Sequence, residues 1–471
     1  MRLYLINPNN PLASLTSARQ NLWNRFSVWK PLGLLILAAL TPDKWEVTVF
    51  DENISIPDYD KLPLPDLVGI TAFTSQAERA YAVAAHFKAL KIPVVMGGIH
   101  ATMSVDEASQ HVDAVVCGEA EGSWAQVLSD AESKTLKPIY KGDRPNLDTV
   151  PVARHQLLPR GYYFGSIQIS RGCPLACSFC SVTAFNGGHF RRRPIENVIA
   201  EFKIMKEKHI LIVDDNLIGT RSDQIAYIKE MFKAMIAAKI NKRWIAQVTI
   251  NMADDDELLK LAAKAGCFGV FIGFESVSKE GLVEIHKRFN MMNNRNIKQS
   301  VRRIQKYGIN VVGSFIIGLD IDQKDIGHHI AVVANRYGLD ALNVMFLTPL
   351  PGTELWNKLL AEDRIVANNF PADWKYYTLT FPVARYMHLS WSDMLREKES
   401  CYRTFYSYSH ILRRVNSSMW HLRNPITTFV SNMLFRINTL TFDRKSYIGF
   451  DVSRGQAQTA IASDQQPTDI A

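Results

Sequence analysis

The stretch RGCPLACSFC, residues 171–180, holds Cys173, Cys177 and Cys180 at the spacing C-x3-C-x2-C, half of the six cysteines in the chain. Six cysteines at irregular spacing over 471 residues make no disulfide framework. The usage suggests a reducing cytosol, where clustered thiols serve metal or redox chemistry. On one loop this spacing lets three thiolates converge on a small face. A structural zinc ion takes four ligands. Cys117, Cys267 and Cys401 are distant in sequence, so His189 would have to be the fourth. An iron–sulfur cubane is held by thiolates, and three of them leave one iron open to a substrate or cofactor. Three buried thiols without a ligand are the bland alternative.

Other candidate groups stand at the ends of strand-like runs. Asp214 and Asp215 close HILIVDD (209–215), where carboxylates also cap a following helix. Glu275 follows FGVFIGF (268–274). Gly313 lies inside NVVGSFIIG (310–318) and Gly318 ends it. Glycine within a strand marks close backbone approach, and at its end a tight turn. Gln247 and Asn251 stand around the end of WIAQVTI (244–250), where they could face a cavity. Gly97 and Gly98 end PVVMGG (93–98), and His100 follows.

These groups need a scaffold. Residues 1–140 alternate Val- and Ile-rich runs (2–7, 46–51, 67–71, 93–98, 112–118) with helical patterns (31–40, 76–90). That pattern indicates a parallel sheet covered on both faces, a doubly wound Rossmann-like α/β domain that binds ligands at the carboxyl ends of its strands. A polar, proline-dotted stretch reads as a linker, 141–165. A second βα series then begins at SIQIS (166–170) and continues through 209–215, 244–250, 268–274, 310–318 and ALNVMFL (341–347). Helical patterns cover 195–208, 222–238, 255–265, 296–307 and 323–337. Six βα units over 166–385 suggest a partial TIM-like (βα)6 barrel, in which chemistry sits in the loops after the strands. The cysteine loop occupies such a position. A helical, basic and aromatic region follows over 386–450, and 451–471 reads as a disordered tail.

The cysteine spacing, with the aromatic Phe179 before the last cysteine, resembles the signature of the radical S-adenosylmethionine (SAM) superfamily over roughly 160–385. The resemblance implies that Cys173, Cys177 and Cys180 bind a [4Fe-4S] cluster. SAM would then chelate the open iron, and one electron would cleave it to a 5′-deoxyadenosyl radical. It also implies a one-electron donor such as flavodoxin or ferredoxin. By the same resemblance Asp214 and Asp215 would contact the SAM amino group, and Glu275 would bind the ribose. The SAM methionyl group would pass Gly313 and Gly318, Gln247 would face the cavity, and Leu347-Thr348-Pro349 would lie near the adenine.

The N-terminal domain resembles the cobalamin-binding domain that precedes the barrel in one large radical SAM class, most clearly in VVMGGIHAT (94–102) and VDAVVCGEAEGSW (112–124). Gly97 and Gly98 would let the backbone approach a flat macrocycle, having no Cβ to clash. His100 is the nearest imidazole in the equivalent region. Two departures stand out. The D-x-H-x-x-G loop that supplies a cobalt-ligating histidine is replaced by NPNNPLAS, and Thr71-Ala72-Phe73 stands where Ser-x-Leu is expected. Cobalamin would be held without that histidine.

The net charge of +8 is mild, and no nucleic-acid module accompanies it. Residues 401–450 carry seven Arg or Lys against one Asp among many aromatic and aliphatic side chains. Such a segment suits an anionic membrane surface, or packs over the barrel with its cations outward. The longest apolar run, 31–40, is about half of what a bilayer crossing needs. The protein is therefore expected to be cytoplasmic, with packing of 401–450 over the barrel as the first reading and peripheral contact at a membrane surface as its alternative. The leading reading is cobalamin-dependent methylation of an unactivated carbon in a small-molecule or lipid-like substrate. The runner-up is radical chemistry without methyl transfer, such as oxidative cyclisation or carbon–carbon bond formation. A methylthiotransferase would need further cysteines in the N-terminal domain for a second cluster. A non-catalytic iron–sulfur sensor would keep the thiolates and lack a SAM pocket.

Overall fold

The computed structural model describes residues 1–12, 29–158, 160–290, 295–419, 425–442 and 446–457. Its first sheet contains β1 (Arg2–Asn7), β2 (Glu46–Asp51), β3 (Leu67–Thr71), β4 (Val94–Gly97), β5 (Ala114–Cys117) and β6 (Ile139–Lys141). All pairs are parallel, in the order β2-β1-β3-β4-β5-β6. A strand buried on both faces must be apolar throughout, and Leu3 to Ile6 of β1 are. Leu3 and Leu5 pack with helices Leu32–Leu40 and Trp124–Glu132, while Tyr4 and Ile6 pack with helix Ala77–Ala89. The chain winds from β1 outward to β2, then returns past β1 to β3. This reversal splays the loops after β1 and β3 and opens a crevice at their carboxyl ends. β6 is a sixth strand that sequence patterning assigns in part to the linker; at three residues it shows no periodicity.

The second sheet is a partial (βα)6 barrel, order β7-β10-β11-β12-β13-β14, all parallel. Its strands are β7 (Phe164–Ile167), β10 (His209–Ile212), β11 (Arg243–Val248), β12 (Cys267–Glu275), β13 (Asn310–Ile317) and β14 (Ala341–Phe346). Between β7 and β10 runs a short antiparallel ribbon, β8 (Ser170–Arg171) with β9 (Arg191–Arg192). Burial alternates with the strand period. Trp244, Ala246 and Val248 face the helices, while Ile245 and Gln247 face the lumen side. The expected first strand, 166–170, is displaced to 164–167. The N–H groups of Ile169 and Ser170 leave the ladder and donate to the Asp214 carboxylate at 2.7 Å each.

An open sheet leaves edge N–H groups that need partners. Helix Trp391–Phe405 meets this need along β14. The Leu342 N–H donates to the Tyr406 hydroxyl and the Val344 N–H to the Tyr402 hydroxyl, each at 3.0 Å. At the other edge Trp29 bridges to Phe164. The expected tail from 451 starts too early. Arg454 pairs with Asp373 at 2.7 Å, and the Gly455 carbonyl accepts from the Trp391 backbone N–H. Residues 458–471 lie outside the described residues. Replacing both Tyr402 and Tyr406 by Phe strands two buried N–H groups. The expected loss is about 1–3 kcal/mol for each, read from denaturant unfolding.

Candidate active site

The cysteine loop is shaped by two aspartates. Asp214 is buried, and its oxygens accept from the Ile169 N–H, the Ser170 N–H and, at 2.6 Å, the Ser170 hydroxyl. Asp215 accepts from the Gly172 N–H and the Asn186 side-chain amide, each at 2.8 Å. Together they clamp the loop at its base and behind its cysteines. Asp214 therefore shapes the loop and is not presented to the amino group of SAM, as the resemblance implied. Asp215 does line the central cavity. Gly172 has φ +91°, and a Cβ there would stand 2.1 Å from the His189 carbonyl oxygen; no other residue fits that turn.

Cys173 and Cys180 are half-buried, Cys177 is buried, and all three are free thiols. Burial pushes all three up, Cys180 to about 12, while the Lys287 ammonium pulls each toward thiolate. Among the described residues no three His, Cys, Asp or Glu side chains converge as a single metal ion requires. A cubane takes each thiolate at a separate corner, so its ligands stand wider apart. Phe179, half-buried, packs against the core beneath the loop.

Glu275 ends β12 with φ +64°, beside a register shift in the ladder. Its Oε1 accepts from Lys287 Nζ at 3.1 Å, and its buried Oε2 has no partner among the described residues. Buried polar oxygens are nearly always hydrogen-bonded, so this one suits a donor from a bound polar group. Burial works against the charge on Lys287, but Glu275 and Cys177 outweigh it and raise its proton affinity. Sequence reading missed Lys287. It lies twelve residues beyond Glu275, outside any strand, and only folding brings it to the thiols.

Other expected positions fall elsewhere. A Cβ on Gly313 would meet Leu339 at 2.3 Å and the Phe274 ring at 3.1 Å, so this glycine serves packing against the outer layer. Gly318 has φ +108° under Tyr386 and Met394, and its N–H donates to Asp322. It is a tight βα turn. Gln247 is exposed on the face of its strand opposite the buried Trp244, Ala246 and Val248, and is not among the residues that line the cavity between the sheets. Asn251 is taken up in a turn with Thr249 and the Gly219 carbonyl. Leu347 and Thr348 are buried. His100 is also buried; its Nε2 shares a hydrogen bond with Tyr81 at 2.8 Å and its ring lies edge-on to Trp374. It lies outside the residues that line the cavity, its ring engaged by Tyr81 and Trp374 instead.

A cavity of about 450 Å³ separates the two sheets. Asn7, Thr71, Gly97, Gly98 and Gly118 line it from the carboxyl ends of the first sheet. Arg171, Phe185 and Asp215 line it from the barrel, and no histidine is among its described walls. Gly98, at φ +90°, could carry no Cβ beside Thr71 Oγ1. Gly33, in helix Leu32–Leu40, lines the cavity, and a Cβ there would meet no described residue within 4 Å. Such a cradle beside backbone turns fits a broad flat ligand, and its described walls offer no imidazole to a cobalt ion. Beside the cavity, Arg171 donates to Glu119 at 2.6 Å and to Glu121 at 2.5 Å, and Arg191 also pairs with Glu119. These ion pairs join the two domains.

The profile of the Radical SAM superfamily matches residues 167–333, and that of the B12 binding domain matches residues 22–128. The chain belongs to the cobalamin-binding radical SAM family. An uncharacterised methyltransferase of Pyrococcus horikoshii is 30% identical over 420 residues, covering 81% of this chain and 89% of that protein. The bacteriochlorophyllide d C-12(1)-methyltransferase of Chlorobaculum tepidum is 29% identical, covering 83% and 85%. The hopanoid C-2 methylase of Rhodopseudomonas palustris is 29% identical, covering 71% and 65%. In fold, the chain is similar to the radical SAM methyltransferase TsrM of Kitasatospora setae with cobalamin and a [4Fe-4S] cluster bound: TM-score 0.66, 16% identity, covering 95% and 99%. The family's cofactors are a [4Fe-4S] cluster, SAM and cobalamin. The three thiols, the unpartnered Glu275 oxygen and the glycine-lined cavity fit them.

Gly33→Leu would fill the cradle without touching the core. Corrinoid retention should fall about ten-fold or more, with the melting temperature of the cofactor-free protein unchanged. Burial lifts Asp214 from 3.8 to about 7 despite its hydrogen bonds. A carboxyl raised in the fold holds a proton that the unfolded chain has lost, so stability falls as pH rises across that window. Asp214→Asn should be less stable overall, because its amide meets backbone N–H groups. Its stability should nevertheless decline less steeply between about pH 4 and 7, measured by paired urea titrations.

Proposed function

We propose that this protein is a cobalamin-dependent radical SAM C-methyltransferase acting on an unactivated carbon of a rigid, largely apolar small molecule or lipid-like substrate. One observation carries the reading. A single cavity has the carboxyl ends of a cobalamin-type sheet on one side and the helix after the cysteine loop on the other. When bound, the cluster and SAM supply a hydrogen-abstracting radical, and cobalamin supplies a methyl group on cobalt.

The chain's own residues do the positioning. Cys173, Cys177 and Cys180 hold the cluster. Lys287 and the free edge of Glu275 present paired charges beside it, suited to the zwitterionic end of SAM. Gly33, Gly97 and Gly98 leave room for the macrocycle. Asp215 and the Arg171–Glu119 pair set the loop against the first domain. Leu37, Phe73, Ile99, Val182 and Phe185 make the walls apolar and exclude water. Phe73 and Trp29 are largely exposed at the cavity, a surface that suits a fused-ring hydrocarbon or a tetrapyrrole edge. The relatives named for hopanoid and bacteriochlorophyllide methylation support a substrate of that class. An external one-electron donor of the flavodoxin or ferredoxin type completes the system. A lipid-like substrate also supports peripheral attachment at a membrane through residues 401–450.

Anaerobic reconstitution with iron, sulfide and cobalamin tests the reading. The expected outcome is a protein that retains corrinoid, forms 5′-deoxyadenosine from SAM, and adds one methylene's mass to its substrate. Cys177→Ala should abolish SAM cleavage. Failure to retain corrinoid, or a product cyclised without added carbon, would replace methylation by the cyclisation reading.

A further inference from the structure

Helix Pro425–Ile437 is amphipathic the wrong way round for a protein surface. Its inward residues are polar: Thr428 is 7% exposed and Asn432 2%. Its outward residues are apolar: Ile426 is 72% exposed, Phe429 and Val430 44%, and Ile437 48%. With 3.6 residues per turn these four fall on one stripe. Asn432 is held inside by Arg414, which donates to it at 2.8 Å, and it donates in turn to the Thr428 carbonyl. The polar interior is therefore built, and the apolar exterior is the consequence. The neighbouring helix Tyr408–Met419 adds Leu412 and Met419, 62% and 59% exposed, on a stripe of its own.

The charge beside these faces has one sign. Residues 408–437 contain four arginines and no Asp or Glu. Arg413 is exposed one position from Leu412. A second cavity, about 380 Å³, opens between helix Tyr408–Met419 and helix Ile326–Tyr337. Arg336, His410, Arg413 and Arg414 line it, with Asp340 as its one carboxylate. The Arg414 guanidinium is buried, and its hydrogen bonds go to neutral acceptors: Asn432, Asn335 and the Phe405 carbonyl. No described helix is long and apolar enough to cross a membrane, which leaves a helix lying in the plane of an interface.

We propose that the helix pair 408–437 docks the protein on an anionic membrane: the apolar face of Pro425–Ile437 enters the acyl boundary, and the arginine-lined cavity takes a lipid phosphate. The charge decides between occupants. A second copy seated on this face would set arginines against arginines, whereas an anionic leaflet neutralises them. The surface rests on the functional reading only in that it would bring the active site to a membrane-borne substrate. Docking itself needs no turnover.

Sedimentation of the full-length protein with vesicles of phosphatidylcholine, with or without phosphatidylglycerol, tests it. The wild type should pellet with the phosphatidylglycerol vesicles, and added salt should weaken binding. Ile426→Asp with Phe429→Asp should weaken it about ten-fold or more, with the melting temperature measured alongside to separate lost docking from lost folding. Arg336→Glu with Arg413→Glu should remove the preference for phosphatidylglycerol. Wild-type protein left in the supernatant with both vesicles would overturn the proposal. So would a dimer by light scattering that Phe429→Asp converts to monomer, which would assign the face to self-association. Vesicle binding without methylation would leave this surface standing and sink the catalytic reading.

Discussion

Arg171 is the joint on which the two halves of the molecule depend. It directly precedes the glycine and cysteine that open the cluster loop, and it reaches across to two glutamates that follow the fifth strand of the first sheet. Its guanidinium is buried, so every N–H needs an acceptor. Glu119, Glu121 and Gln168 supply them. Removing one side of such a pair leaves an uncompensated buried charge, at about 3–5 kcal/mol. The β8–β9 ribbon sets Arg191 opposite Arg171, and both converge on Glu119. Sliding one domain over the other would break the bonds to Glu119 and Glu121 together. The cavity between the domains keeps its shape for that reason.

Parallel sheets make this arrangement useful. In each domain the strands all point the same way, so their carboxyl ends and the loops after them gather on one side. The two sheets present those sides to each other. Backbone turns and glycines face the cavity from the first sheet. Arg171, Asp215 and the helix after the cysteine loop face it from the second, and the thiols stand on the loop between Arg171 and that helix. Asp214 and Asp215 spend their oxygens on loop N–H groups, which fixes where the thiols stand. Lys287, paired with Glu275 beside those thiols, offsets part of their charge in a poorly solvated place.

The C-terminal region joins two physical demands. Its first helix satisfies the open edge of the barrel with two tyrosine hydroxyls. The next two helices turn polar side chains inward around Arg414 and apolar ones outward. The same segment thus completes the barrel and offers a surface that water does not favour.

Local chemistry and periodicity made much of this legible in the sequence. The cysteine spacing, with its aromatic neighbour, is a contiguous pattern. The strands of both sheets, save three-residue β6, appear as alternating or continuous apolar runs, because burial in a parallel sheet demands them. The absence of a cobalt-ligating histidine after β1 could also be read directly. What the sequence left undecided is the assignment of single polar residues and glycines. Asp214 and Asp215 are chemically identical neighbours, yet one is buried under the loop and the other lines the cavity. Gly313 and Gly33 are equally silent residues, but only three-dimensional neighbours show that one fills packing space and the other leaves a void. His100 is withdrawn by Tyr81 and Trp374, the latter more than 270 positions away. Lys287 joins the site because the chain after helix Lys279–Glu284 meets the cysteine loop, where the Ser178 N–H donates to the Ile285 carbonyl. Period and spacing are properties of neighbouring residues along the chain, and the sequence determines them alone. Orientation, burial and charge pairing depend on atoms brought together from distant segments, and only the tertiary structure decides those.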